Sequence, residues 1–178
     1  MTHTHFETRN ADDGLTLYGR SWMPKTPKAI INLVHGLGEH CGRYEDMALS
    51  LNARGIGLRA IDLHGHGLTA DNKDKMLGQQ HDGKSRGLCA DYGLLRGDVD
   101  ALLASSKTAA PKCPQVLMGH SMGGGIILSY LQERRDLNLA GAVAQAPLID
   151  SPDRPPAALT ALMKLITAIA PKFRIKAK

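Results

Sequence analysis

Aromatic residues are sparse in this chain: phenylalanine, tryptophan and tyrosine together make up 4% of its 178 residues. That sparsity excludes the stacked aromatic platforms on which single-stranded nucleic acid binds. Cysteine is scarce too. Cys41, Cys89 and Cys113 are odd in number and lack metal-type spacing, so neither a disulfide framework nor a zinc site is expected, and they suit a reducing cytosol. No apolar run approaches the length of a membrane span. Residues 1–7 hold no basic segment followed by an apolar core, so no secretory signal is visible and a cytoplasmic protein is expected. Internal repeats and low-complexity segments are absent. The formal charge of +5 is modest and spread out. Its one concentration, at Lys172, Arg174, Lys176 and Lys178, reads as a solvated chain end, with attraction to an anionic lipid surface as the lesser alternative. Nucleic acid is not an expected partner.

What is present fits one globular domain with a core of its own: 43% hydrophobic and 22% charged residues over 178 positions. Strand-like segments run at 15–22, 29–34, 56–62, 114–119 and 139–146. Helix-like segments lie between them at 44–54, 91–106 and 122–135. Continuous apolar strands alternating with helices imply βαβ units and a parallel sheet buried on both faces. Arg54-Gly55 closes one helix, and Pro111 and Pro114 separate another from the next strand. The polar, glycine-rich stretch 68–90 reads as a long surface loop, over or beside a site or simply connecting. Ser151-Pro152-Asp153-Arg154-Pro155-Pro156 is a breaker. After it, Leu159, Leu162, Met163, Ile166 and Ile169 fall on one helical face, with Thr160, Lys164 and Thr167 on the other.

Three strand ends carry the chemistry. Gly119-His120-Ser121-Met122-Gly123 follows the apolar run 115–118 and precedes a helix-like stretch, which is the context of a nucleophile elbow. Such a turn forces its serine into a strained conformation, and glycines two residues either side let strand and helix approach. Ser121 would then present its hydroxyl beside the positive end of a helix. A chance G-x-S-x-G is the bland alternative, and the strand and helix context argues against it. His35-Gly36-Leu37-Gly38 leaves the strand at 29–34. The backbone N–H of Leu37, with that of Met122 after the nucleophile, is placed to stabilise an oxyanion; an ordinary strand-exit turn is the alternative for His35 and Gly36. Asp62-Leu63-His64-Gly65-His66-Gly67 leaves a third strand. Its Asp62, His64 and His66 look superficially like a metal-ligand set, but no metal is expected there.

The runs from His35 to Tyr44, Asp62 to Gly67 and Gly119 to Gly124, in this order and spacing, resemble the monoacylglycerol lipase and lysophospholipase branch of the α/β-hydrolases. The resemblance extends from Leu15 onward. It implies an α/β-hydrolase fold, a mostly parallel sheet with helices on both faces, and hydrolysis of lipid-like carboxylic esters through an acyl-enzyme on Ser121, without a cofactor. His35, Gly36, Gly119, His120 and Gly123 then support the motifs. By the same resemblance, 1–148 is the N-terminal part of the core and 149–178 the start of a helical cap; an amphipathic helix packed on the core is the alternative for the latter. The expected partner is a small lipid-like ester, with transient membrane-surface contact through the cap.

One residue type is missing where this chemistry needs it. In this fold the triad follows the chain order Ser, Asp or Glu, His, and no histidine occurs after His120. Asp136, Asp150 and Asp153 follow the serine, and only Asp150 lies near a strand end, where capping the next segment is the plainer role. His35, His40, His64 and His66 are the upstream candidates for a base, each requiring hydrogen-bond reach of Ser121. The expectation is therefore an incomplete hydrolase, inactive alone and prone to self-association through an exposed edge strand at 139–146. A non-catalytic ligand-binding protein of the same fold is the alternative.

Overall fold

The apolar runs at the centre of the sequence form the centre of one six-stranded sheet in the computed structural model, which describes residues 3–71, 91–134, 136–150 and 156–169. The strands are β1 (Thr4–Arg9), β2 (Thr16–Trp22), β3 (Ala29–Val34), β4 (Ile56–Ile61), β5 (Gln115–His120) and β6 (Gly141–Gln145), in the order β1-β2-β4-β3-β5-β6. β4, β3, β5 and β6 are mutually parallel, while β2 runs antiparallel to both β1 and β4.

Parallel neighbours require crossovers, and helices supply them. A 3₁₀ turn (Cys41–Tyr44) and α1 (Glu45–Asn52) link β3 to β4, and α4 (Met122–Glu133) links β5 to β6. Between β4 and β5 lie α2 (Gly67–Asp71) and α3 (Tyr92–Ala109), the latter started by Asp91, whose side chain accepts the Gly93 N–H. Adjacent strand residues point to opposite faces, so Val34 and Ile61 join α3 and α4 in one core with Leu102, Ile126 and Tyr130. Leu33 and Ala60 join α1 in the other, with Trp22 and Ala48. The centre of the sheet is thus covered on both sides, as its mostly apolar strands require.

Two elements differ from the sequence reading. β1 was not expected, because Thr4–Arg9 is a mostly polar edge strand in which Phe6 alone packs against the core. The loop expected over 68–90 instead begins inside α2 (Gly67–Asp71). Asp62 accepts the Leu68 N–H at 2.8 Å, and the buried Thr69 hydroxyl donates to the Asp62 carbonyl at 2.6 Å, which draws the first turn onto the core. The rest of that stretch, 72–90 with Cys89, lies outside the described residues.

The last elements are exposed. β6 forms one edge of the sheet, with Val143 48% exposed. The expected amphipathic helix is α5 (Ala157–Ile169), and its apolar face is not packed on the core: Leu159, Leu162, Met163 and Ile169 are 44–76% exposed.

Candidate active site

Ser121 occupies the turn between β5 and α4 with φ 52° and ψ −117°, the left-handed region that a side chain disfavours. Three backbone hydrogen bonds hold it there. Its N–H donates to the Gln145 carbonyl at the end of β6, and its carbonyl accepts from Gly125 and Leu148. The flanking glycines have steric reasons. A Cβ on Gly123 would lie 2.6 Å from the His35 carbonyl oxygen and nearer still to that of Val34; one on Gly119 would meet the Gly123 carbonyl. Only bare backbone lets α4 start this close to β3 and β5.

The loop after β3 lies against the same serine. A Cβ on Gly36 would sit 3.3 Å from the Ser121 Cβ. Glu39 fixes this loop. Its Oε2 accepts the Gly36 N–H at 2.9 Å and the Tyr44 hydroxyl at 2.7 Å, and lies 3.4 Å from His120 Nδ1. Partial burial disfavours its charge, but the hydrogen bonds from Tyr44, Gly36 and His120 outweigh that and hold the carboxyl down at about 2. Among the described residues, no hydrogen bond takes up the N–H of Leu37 or of Met122. Glu39 and Tyr44 were not singled out from the sequence, although both stand within the quoted run from His35 to Tyr44. Glu39 lies three residues after Gly36, the spacing at which a side chain can reach back to a turn's N–H.

His35, His64, His66 and His120 are engaged elsewhere. His35 is fully buried: Nε2 accepts the Leu63 N–H at 3.1 Å, so Nδ1 carries the proton donated to the Gly36 carbonyl at 2.8 Å. Burial pushes its pKa down to about 4, which keeps it neutral. His64 lies between Asp98 and Asp13. His66 donates from Nδ1 to the His64 carbonyl, and its ring meets that of His35 edge-on at 5.1 Å. His40 is exposed. His120, beside Ser121 in sequence, turns toward Glu39 and Tyr44. Asp62 spends its carboxylate on the N–H groups of Cys41 and Leu68. Asp136 and Asp150 are both exposed, and Asp153 lies outside the described residues. Among the described residues, no hydrogen bond joins the Ser121 hydroxyl to a histidine. The arrangement therefore brings together Ser121, the loop after β3 and the start of α4, and gives His35, His64 and His66 structural partners away from the serine.

Comparison with known proteins agrees with this geometry. The family model for serine aminopeptidase S33, a hydrolase family, matches residues 25–178. Human monoglyceride lipase is 37% identical over 138 residues, 77% of this chain and 41% of that protein. Monoacylglycerol lipase of Mycolicibacterium smegmatis is 30% identical over 156 residues, 87% of this chain and 51% of that protein. A thermostable carboxyl esterase from Bacillus coagulans, solved in complex with glycerol, superposes with a TM-score of 0.65 at 27% identity, over 94% of this chain and 50% of that one. A soluble variant of the Saccharomyces cerevisiae monoglyceride lipase, solved with a substrate analog, shares the fold at a TM-score of 0.71 and 23% identity, over 99% of this chain and 55% of that one. The chain spans about half or less of the length of the curated relatives it matches. With its sheet order, its strained serine and the family model over most of its length, the chain belongs to the serine aminopeptidase S33 family of the α/β-hydrolases.

Proposed function

We propose that this chain carries the nucleophile and the oxyanion-binding half of a serine hydrolase of carboxylic esters, of the monoacylglycerol lipase or lysophospholipase type. The observation that carries the reading is Ser121 at positive φ on the tip of the β5–α4 turn, with the Gly36 loop against its Cβ. In the reaction, Ser121 Oγ attacks the ester carbonyl carbon while a base takes its proton. The N–H groups of Leu37 and Met122 stabilise the oxyanion, the alcohol leaves, and water releases the acid from the acyl-enzyme. The base and its orienting acid are not supplied at Ser121 by any described residue. That observation favours, for these residues alone, the second reading: a pocket that binds a lipid-like ligand without turnover.

The lipase relatives support a small lipid-like ester as substrate. The exposed apolar face of α5 supports a cap that covers the acyl chain and touches a membrane surface transiently. No helix among the described residues is long and apolar enough to cross a membrane. The free thiols of Cys41 and Cys113 fit a cytoplasmic setting.

Ser121→Ala tests the assignment. In a preparation that hydrolyses a short-chain ester, the substitution should abolish turnover and leave the melting curve unchanged; retained turnover refutes it. For the 178-residue chain alone, the expected rate is only the residue left by an oxyanion hole without a base. Robust, Ser121-dependent turnover there would mean that one of the upstream histidines leaves its partners to act as base.

A further inference from the structure

We propose that the His64 side chain is a proton-operated clamp that locks the β1–β2 turn onto α3 and opens as the pH rises. The turn, residues 10–15, is plugged into α3 by Asn10. Its side-chain amide donates to the Leu94 carbonyl at 2.8 Å and to Asp98 Oδ1 at 2.9 Å. Asp98 is fully buried, and the basic group that meets it is His64: Nδ1 lies 2.7 Å from Asp98 Oδ1, and the His64 N–H donates to Oδ2 at 2.9 Å. On the other side of the ring, His64 Nε2 lies 2.9 Å from Asp13 Oδ2, on the turn itself.

Both ring nitrogens thus face carboxylate oxygens, which accept and do not donate when ionised. Only the imidazolium carries two N–H donors, so with both carboxyls ionised the arrangement is satisfied in that form alone. Neutral His64 would set a lone pair against one carboxylate and leave Asp98 buried without a countercharge, a costly state. Among the described residues, the charged and titratable groups around the clamp are Asp13 and Asp12 from the turn, Asp98 from α3, and His66 from the loop that carries His64. Asp12 lies beside Asn10 over Gly97. His66 meets the His64 carbonyl rather than its ring.

The proton linkage has a definite sign. Burial works against the charge of His64, but Asp98 and Asp13 outweigh it and raise its pKa above 6.5. Below the open-state value near 6.5 the clamp is fully closed. Between that value and the raised one, opening releases one proton, so its equilibrium constant grows about tenfold per pH unit. The carboxylate side has the opposite sign. Burial opposes the charge of Asp13, but the Leu15 N–H and His64 lower its pKa below 3.8, so its contribution is lost only as the pH falls through that lowered value.

The experiment is a pH titration of the 178-residue protein by NMR, following the His64 ring ¹⁵N shifts and the exchange of the Asp12, Gly14 and Leu15 amides. Both ring nitrogens should remain protonated above pH 6.5, and opening at the three amides should rise about tenfold per pH unit from that point until closed-state His64 itself loses its proton. Asp13→Asn, on the more exposed side of the ring, should move the midpoint down. In His64→Gln the rise with pH should disappear. A His64 ring with a single protonated nitrogen at pH 6 would overturn the proposal. So would turn amides that stay equally protected while His64 titrates.

Discussion

Replacing the elbow serine by glycine should make the protein more stable. Ser121 holds φ 52° and ψ −117°, and a non-glycine residue kept in so sparse a region costs about 1–3 kcal/mol. Its hydroxyl makes no hydrogen bond among the described residues, so losing Oγ forfeits little. Ser121→Gly removes the crowded Cβ, against about 0.5–1 kcal/mol for the greater freedom of glycine in the unfolded chain. The middle of both ranges leaves a net gain of about 1 kcal/mol, which in a domain of this size raises the Tm by about 2–4 °C. Ser121→Ala is the control, because it removes the same hydroxyl but keeps Cβ; its stability should stay within about 0.5 kcal/mol of the parent. Neither variant has the hydroxyl, so a difference between them reports on the backbone alone. Urea unfolding with matched m values measures the same quantity without heating. If Ser121→Gly proves no more stable than Ser121→Ala, the backbone at 121 is not strained, and the physical basis for a nucleophile elbow here is gone.

Gly123→Ala should destabilise the protein by about 2 kcal/mol or more, because the new methyl would collide with the backbone carbonyl groups of Val34 and His35; an unchanged Tm would refute that packing. Glu39→Ala should cost about 1–3 kcal/mol by stranding the Gly36 N–H. Because the Glu39 carboxyl is held near 2 against an ordinary 4.5, its contribution is complete above pH 4.5 and fades as the pH falls toward 2. Glu39→Gln should flatten that acid limb of a Tm-against-pH curve, and an unaltered limb would assign it to other carboxylates. At the sheet edge, the parent protein should self-associate in sedimentation velocity, and Val143→Lys should shift it toward monomer, since a charge on an edge strand opposes pairing. A parent that is monomeric when dilute and binds little hydrophobic dye would show the edge to be harmless.

The centre of the sheet was legible in the sequence because β3, β4 and β5 are largely buried and so read as mostly apolar runs, interrupted inside only by Asn32 and Arg59. β1 was not legible, because an edge strand with one inward side chain, Phe6, has no such run. The start of α2 was hidden for a different reason. Its first turn is pinned by Asp62 and Thr69, and hydrogen bonds to side chains leave no periodicity to read. At the site, the serine and its glycines could be located because backbone collision admits few alternatives there. The role of Glu39 could not, since a glutamate in a loop is ordinarily a solvated charge; only the fold brings Gly36, Tyr44 and His120 around it. The histidines show the same limit. Five of those considered at the strand ends look interchangeable as residue types, yet His35 is a neutral brace, His64 an ion-paired clamp, His66 a partner to both, His40 exposed, and His120 a neighbour of Glu39.

Strain at a functional turn persists only where its surroundings over-determine it, and here much of that constraint comes from the edge of the sheet. Of the three backbone hydrogen bonds on Ser121, one is accepted by Gln145, the last residue of β6, and one is donated by Leu148 just beyond it. Gly124 and Gly125 pass within contact of Pro147 and of the Leu148 carbonyl, so the start of α4 leans on the same segment. Yet Val143, Leu148 and Ile149 are 48–78% exposed, and a strand with so little apolar burial opens at low free energy. Fraying of β6 would remove two of the three bonds and let Ser121 relax toward an ordinary φ. The geometry of Ser121 is therefore coupled to whatever steadies the β6 edge, and contacts made far from the hydroxyl can set how well it is presented.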